Sequence, residues 1–133
     1  SLGASVDLIG VLGNDVDGDS VVHLLEKYGV GTSYLHRSKT FQTICKQRIL
    51  VNRQQLLRVD NESNLPFLGD DIFRLFQEVV ERYDIIVLSD YGKGVLRNHK
   101  RYISLAKRNK INVLVVFLIH VHLNIDFHIN YIN

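Results

Sequence analysis

A short β-prone run, Asp84 to Ser89, leads into a glycine-bearing loop, a helix-compatible stretch from about Val95 to Asn109, and a second β-prone run that starts near Ile111. Strand, tight loop, helix and strand within ~35 residues form a βαβ unit, which implies a parallel sheet with a right-handed crossover. The class is therefore α/β, neither an all-β sandwich nor a helical bundle.

The stretches upstream fit that class. Ile72, Phe76, Val79, Val80 and Tyr83 recur at helical spacing, so Asp70 to Tyr83 is expected to be a helix, with Asp70 and Asp71 at its positive N-terminal end. Val6 to Leu12 is apolar apart from Asp7 and Gly10 and reads as a buried strand. Gly13-Asn14-Asp15 follows as a turn. Asp17 is expected to cap a helix with the stripe Val21, Leu24, Leu25 and Tyr28, ended by Gly29. Thr43 to Val51 and Gln54 to Val59 suggest a hairpin across Asn52-Arg53, a weaker turn signal than Asn-Gly. Asn61 to Gly69 is polar, holds the only proline, Pro66, and reads as a loop.

With 133 residues and 46% hydrophobic content, the chain is long enough for one compact domain with a core. A net charge of +2 is too small to argue for a nucleic-acid partner. The single cysteine, Cys45, excludes an internal disulfide framework and is expected as a small buried residue within a strand. The longest apolar run, Val113 to Ile119, falls far short of the ~20 residues that span a bilayer. Ser1 to Gly13 lacks a basic leader region, so a cytoplasmic protein without membrane partners is expected. The opening Ser1-Leu2-Gly3-Ala4 and the absence of Met read as an excised segment.

Basic residues are clustered. Seven Lys or Arg and no acid lie between Glu26 and Asp60, and seven more and no acid between Tyr91 and Lys110. Such runs suit either a solvated face or a phosphorylated ligand. No recognition motif for nucleic acid accompanies them.

Three strings stand out. Gly10-Val11-Leu12-Gly13-Asn14-Asp15-Val16-Asp17-Gly18 places glycines after a strand and at a helix entry. Its spacing is not the dinucleotide fingerprint and it lacks the Walker lysine, so a structural turn is the favoured reading. Ser89-Asp90-Tyr91-Gly92-Lys93-Gly94 sits at a strand end, where open α/β sheets bind ligands. Its glycines allow backbone N–H groups to approach a phosphate, Lys93 can pair with that phosphate, Asp90 can accept a sugar hydroxyl, and a helix N-terminus beyond Gly94 would add its dipole. In Asn52 to Asp60, alternation sets Arg and Asp side chains on one accessible face, as would an ordinary exposed hairpin. His120, His122 and His128 have no Cys or carboxylate partner at ligand spacing, so no metal site is expected.

Together these strings resemble the ribokinase (PfkB) family, and most specifically its bacterial D-glycero-β-D-manno-heptose 7-phosphate kinases. The likeness runs from residue 1 to about 115. It is carried by Ser1 to Ala4, Ile9 to Gly18 (with Gly10, Gly13, Asp15 and Gly18 as the family turn), Lys27 to Val30, Asn52 to Asp60, Leu88 to Leu96 and Ile111 to Val115. It implies a partial ribokinase-like, Rossmann-like three-layer α/β fold with a small β lid within about 34–60. It also implies ATP- and Mg²⁺-dependent phosphoryl transfer to the anomeric hydroxyl of the sugar phosphate, in the supply of ADP-heptose for lipopolysaccharide. Asp90, Lys93, Gly94 and Arg58 would lie on the sugar-phosphate side, and the lid is a candidate homodimer surface.

The family's catalytic Asp, in a Gly-Ala-Gly-Asp motif, has no counterpart here, nor does its nucleotide-side Asn-x-x-Glu motif. No catalytic residue is assigned, and nucleotide binding by these residues alone is not expected. Where the family continues Asp-Pro-Lys-Gly, this chain reads Val116-Phe117-Leu118-Ile119, and 116–133 has the foreign composition of a frameshifted tail. Two further readings stay open: a non-catalytic remnant that binds sugar phosphate or assembles through its lid, and a phosphosugar or nucleotide-binding module unrelated to kinases.

Overall fold

The computed structural model describes residues 3–61, 69–90, 94–121 and 124–132, with side chains up to residue 116. Two compact units divide the chain: unit 1, Ser1–Pro66, and unit 2, Phe67–Asn133.

In unit 1 the first apolar run forms two short strands, β1 (Val6–Asp7) and β2 (Gly10–Gly13), instead of one continuous strand. Helix α1 (Val16–Lys27) crosses to β3 (Val30–Gly31) and β4 (Leu35–Ser38). β1 pairs with β3 and β2 with β4, both parallel. The cap of α1 is Asp15, not Asp17. The Asp15 carboxylate accepts the Gly18 N–H, while Asp17 and Asp19 lie in the first turn, where the helix dipole favours acids. The inward stripe is Val21, Val22 and Leu25, because Leu24 and Tyr28 point to solvent at 54% and 73% exposure. Gly29, at φ +72°, takes the left-handed conformation that ends the helix.

The hairpin forms as expected, from β5 (Cys45–Val51) and β6 (Gln54–Asn61). Asn52 and Arg53 both adopt positive φ, 50° and 67°, the backbone signs of the type I′ turn that matches strand twist. Cys45 is half-buried at the start of β5, where an uncovered hairpin cannot enclose it. Every residue of β6 is exposed.

In unit 2, helix α2 (Gly69–Val79) tightens into a 3₁₀ turn over Val80–Arg82 before β7 (Ile85–Asp90). Helix α3 covers only His99–Arg108; residues 95–98 form turns, so it starts four residues later than its pattern suggests. β8 (Asn112–Val121) runs parallel to β7 in the register Ile86↔Val113 and Leu88↔Val115. Side chains alternate across a strand, so these four share a face. Leu88, Val113 and Val115 are buried there together with Ile72, Phe76, Val79, Val80, Tyr102 and Ala106 of the helical layer. The opposite face carries Ile85 and Val87, 50% and 57% exposed.

Beyond the βαβ unit, β8 continues to Val121 and pairs antiparallel with β9 (Asn124–Ile132), from Val113↔Ile132 to Val121↔Asn124. The segment whose composition reads as foreign to the family thus extends the sheet by one strand. The side chains of His120, His122 and His128 lie outside the described residues.

Candidate functional site

The residues singled out from the sequence fall in three places. The most closely knit is the turn between β2 and α1. Gly13 N–H donates to the Thr43 hydroxyl at 2.9 Å. The Asp15 carboxylate accepts the Gly18 N–H and the Thr43 N–H, each at 2.8 Å. Thr43 itself is buried. The Thr43 and Gly18 backbone bonds, then the Thr43 hydroxyl, hold the Asp15 carboxyl below its ordinary value; the Arg37 charge adds to this against slight desolvation.

The glycines here are required by space. A Cβ on Gly13 would stand 2.1 Å from the Asp15 carboxylate and 2.7 Å from both the Phe41 carbonyl and the Thr43 nitrogen. One on Gly18 would stand 2.5 Å from the Gly13 carbonyl. Gly10 meets only the Leu35 side chain, at 3.6 Å, and is not crowded. Asp15 ties the start of α1 to the segment that enters β5. Thr43 is the partner that pattern reading missed, because a residue 28 positions from Asp15 carries no local signal of the pairing.

The second place is the carboxyl end of β7. Asp90 is the last residue of that strand and is half-buried, at the edge where a parallel ladder offers its ligand crevice. Gly94 adopts φ +101°, a conformation that favours glycine, and no described atom lies within 4 Å of where its Cβ would be. Lys93 lies outside the described residues. Because α3 begins at His99, its N-terminus does not follow directly on Gly94, and the expected dipole contribution at that glycine is withdrawn. Turn residues intervene, with Arg97 N–H donating to the Gly94 carbonyl at 3.4 Å.

The third place is the hairpin. Directly opposed residues share a face, so the pairs Gln47↔Val59 and Ile49↔Leu57 line one side and Lys46↔Asp60 and Arg48↔Arg58 the other. Asp60 is met by Lys46 Nζ at 3.4 Å and by Arg58 Nε at 3.0 Å. Arg58 is thus on an accessible charged face in unit 1, while Asp90 and Gly94 belong to unit 2.

A cavity of about 560 Å³ in unit 1 lies against α1 and β4. It is lined by the acids Asp19 and Glu26, by Arg37 and by His23, and by none of the residues marked out from the sequence. Among the described residues no three His, Cys, Asp or Glu side chains converge as a metal site.

Parallel ladders joined through helices, a glycine-rich turn and an acid at a strand's carboxyl end define an α/β protein of ribokinase-like architecture. Its sequence matches the model of the pfkB family carbohydrate kinases over residues 1–116. The chain belongs to that family. It is 39% identical over 115 residues to the bifunctional protein HldE of Hydrogenovibrio crunogenus, covering 86% of this chain and 24% of that protein. With the bifunctional protein HldE of Pseudomonas entomophila the identity is 43% over 117 residues, again 86% of this chain and 24% of the relative. The chain therefore spans about a quarter of the length of these curated relatives.

Solved structures agree on the fold. A PfkB protein from Polaromonas sp. JS666 superposes with a TM-score of 0.70 at 12% identity, over 90% of this chain and 42% of that one. A fructokinase with bound ATP from Xylella fastidiosa gives 0.63 at 18% identity, over 92% and 38%.

Proposed function

We propose that this chain carries the sugar-phosphate side of a carbohydrate kinase that phosphorylates a heptose 7-phosphate on its anomeric hydroxyl, with ATP and Mg²⁺ as co-substrates. The supporting observation is the identity of 35–43% to bifunctional HldE proteins over 86% of the chain. That span includes both Asn52 to Asp60 and Ser89 to Gly94, the strings that resemble the heptose kinases. In this reading Asp90 accepts a sugar hydroxyl, Gly94 lets the loop turn, Lys93 pairs with the sugar's phosphate, and Arg58 is a substrate-binding residue of the hairpin. Gly10, Gly13, Asp15 and Gly18 serve as scaffold.

Phosphoryl transfer also needs a base for the sugar proton and donors around the transferring group. The family's motif for that role does not occur in these 133 residues. The chain is therefore assigned binding and positioning, not the chemical step. The test is phosphate transfer from ATP to heptose 7-phosphate by the 133-residue chain and by a longer chain that includes the Gly-Ala-Gly-Asp motif. We expect turnover from the longer chain alone; phosphorylation by the short one would overturn the division of labour. Lys93→Ala in the longer chain should weaken sugar-phosphate binding, and unchanged affinity would remove Lys93 from the site.

A second reading, assembly through the hairpin without catalysis, is favoured by the exposure of Ile49, Leu57 and Val59 on its apolar side. Sedimentation of the chain with Leu57→Asp would test it: a dimer lost in the variant supports it, and a monomer in both disposes of it. No helix among the described residues is long and apolar enough to cross a membrane. Operation in the cytoplasm, where ATP is available, belongs to the same proposal.

A further inference from the structure

We infer that Arg48 and Arg58 form a two-pronged site for the phosphate monoester of a phosphorylated sugar, on the charged face of the β5–β6 hairpin. The inference rests on the sugar-kinase reading and adds to it a second arginine that the sequence did not single out.

The observation is one of register. Arg48 stands directly across the ladder from Arg58. Like charges at directly opposed positions repel, and a strand pair gains nothing structural from them. The neighbouring pair on the same face is built the opposite way, Lys46 against Asp60 with the ions in contact. Asp60 also meets Arg58, through Nε at 3.0 Å. No ion pair involves Arg48 among the described residues.

The face therefore holds three cations and one carboxylate. Both arginines are exposed, Arg58 with 47% of its side chain open to solvent. Two guanidinium forks at one rung can each offer paired N–H donors to a phosphate's oxygens, a geometry that lysine cannot supply. A phosphate monoester carries close to two negative charges at neutral pH and would offset both arginines together. Asp60, two rungs away on the same face, would repel an isolated phosphate but can accept a hydroxyl. The face thus suits a sugar phosphate better than phosphate alone.

The experiment is a nuclear magnetic resonance titration of the 133-residue chain with inorganic phosphate, a hexose 6-phosphate, the unphosphorylated hexose and ATP. We expect shifts centred on the amides and guanidinium groups of Arg48 and Arg58, strongest with the sugar phosphate and absent with the plain sugar. Arg48→Gln should weaken binding roughly ten- to a hundredfold, the loss of a charge-assisted pair. Arg48→Lys should weaken it less. Arg53→Asn, which removes one positive charge from the turn of the same hairpin, should leave it unchanged.

Equal losses from Arg48→Gln and Arg53→Asn would show diffuse attraction and overturn the site. So would shifts centred outside residues 46–60, or no binding of the sugar phosphate. Tighter binding of ATP than of the sugar phosphate would overturn the assignment of ligand. Amide shifts of β5 and β6 in ligand-free Arg48→Gln establish that the hairpin is intact, and Arg48→Lys gives a second reading if it is not. Binding at this rung without phosphate transfer by the longer chain would leave the site standing and remove the activity. Transfer with an unchanged KM for the sugar phosphate in Arg48→Gln would do the reverse.

Discussion

In unit 2, Ile72, Phe76, Val79, Tyr102, Ala106, Val113 and Val115 are closed off from water between two helices and a parallel ladder; in unit 1, Phe41 is the one apolar side chain so enclosed among the described residues. Unit 1 is instead tied by hydrogen bonds around Asp15, Gly13, Gly18 and Thr43. Its hairpin shows apolar side chains to solvent, although an isolated two-stranded hairpin is marginal in water. Unit 2 carries its own core, whereas unit 1 holds a geometry with few buried groups.

The largest effect should come from removing a ring in unit 2. Phe76 is 3% exposed, and its ring centroid lies 5.1 Å from that of Tyr102, which in turn meets Phe73 edge-on at 5.0 Å. Phe76→Ala should cost about 3–5 kcal/mol and abolish cooperative melting of unit 2 by near-ultraviolet circular dichroism. A loss below about 1 kcal/mol would mean that the two units do not differ as described. Arg101 closes the end of this cluster. It stacks over the Phe73 ring at 4.2 Å and binds Asp70 at 2.6 Å and the Gly69 carbonyl. Burial disfavours the Arg101 charge, but its bonds to Asp70 and Tyr102 outweigh that and hold its pKa above the ordinary value.

In unit 1 the matching test removes an acceptor instead of a volume. Thr43→Val keeps the shape and leaves the Gly13 N–H, which is buried, without its partner. Such an orphaned donor costs about 1–3 kcal/mol, less than the ring in unit 2. Hydrogen exchange at Gly13 and through β5 should accelerate while unit 2 is unaffected. Unchanged exchange would show that the hydroxyl is incidental.

The two units were not equally legible in the sequence, for a physical reason. Periodicity records which side chains are buried, so α2, β7 and the start of β8 could be read directly from Ile72, Phe76 and the β-branched runs. In unit 1 much of what fixes the chain is a set of backbone-to-side-chain bonds, which leave no period. The glycines and Asp15 marked the turn, but nothing local pointed to Thr43. Helix ends were misplaced for the same cause. Asp17 and Asp15 are both acceptable caps by type, and only the bonds to Gly18 and Thr43 choose between them. At the candidate site, Asp90 and Gly94 follow from the βαβ pattern. The pairing of Arg48 with Arg58 depends on register and on the irregularity between Ile49 and Leu50, neither of which alternation alone determines.

Acid should separate the units next. The Asp15 carboxyl is held below its ordinary value of 3.8 chiefly by the Thr43 and Gly18 N–H groups. A depressed carboxyl stabilises the folded state above its unfolded pKa, and that contribution disappears as pH falls through the lower, folded value. Exchange at Gly18 and Thr43 should therefore become less protected below about pH 4, relative to neighbouring amides. Asp15→Asn should show no such acid-dependent loss. An identical acid profile in the wild-type chain and the variant would remove Asp15 as the cause.

The smallest effect is the most discriminating, because it should have opposite signs for stability and binding. If Arg48 faces Arg58 only by accident of an exposed surface, replacing it should change little. If the opposed pair is held against repulsion for a ligand, Arg48→Glu should stabilise the free hairpin by about 0.2–1 kcal/mol, as a like-charge pair becomes an opposite-charge one. The gain should shrink as salt rises, since both side chains are exposed. The same substitution should abolish the response to a sugar phosphate. A hairpin that becomes steadier while losing its ligand is the signature of a binding rung. One that loses both was held together by Arg48, and the opposed pair would then be structural.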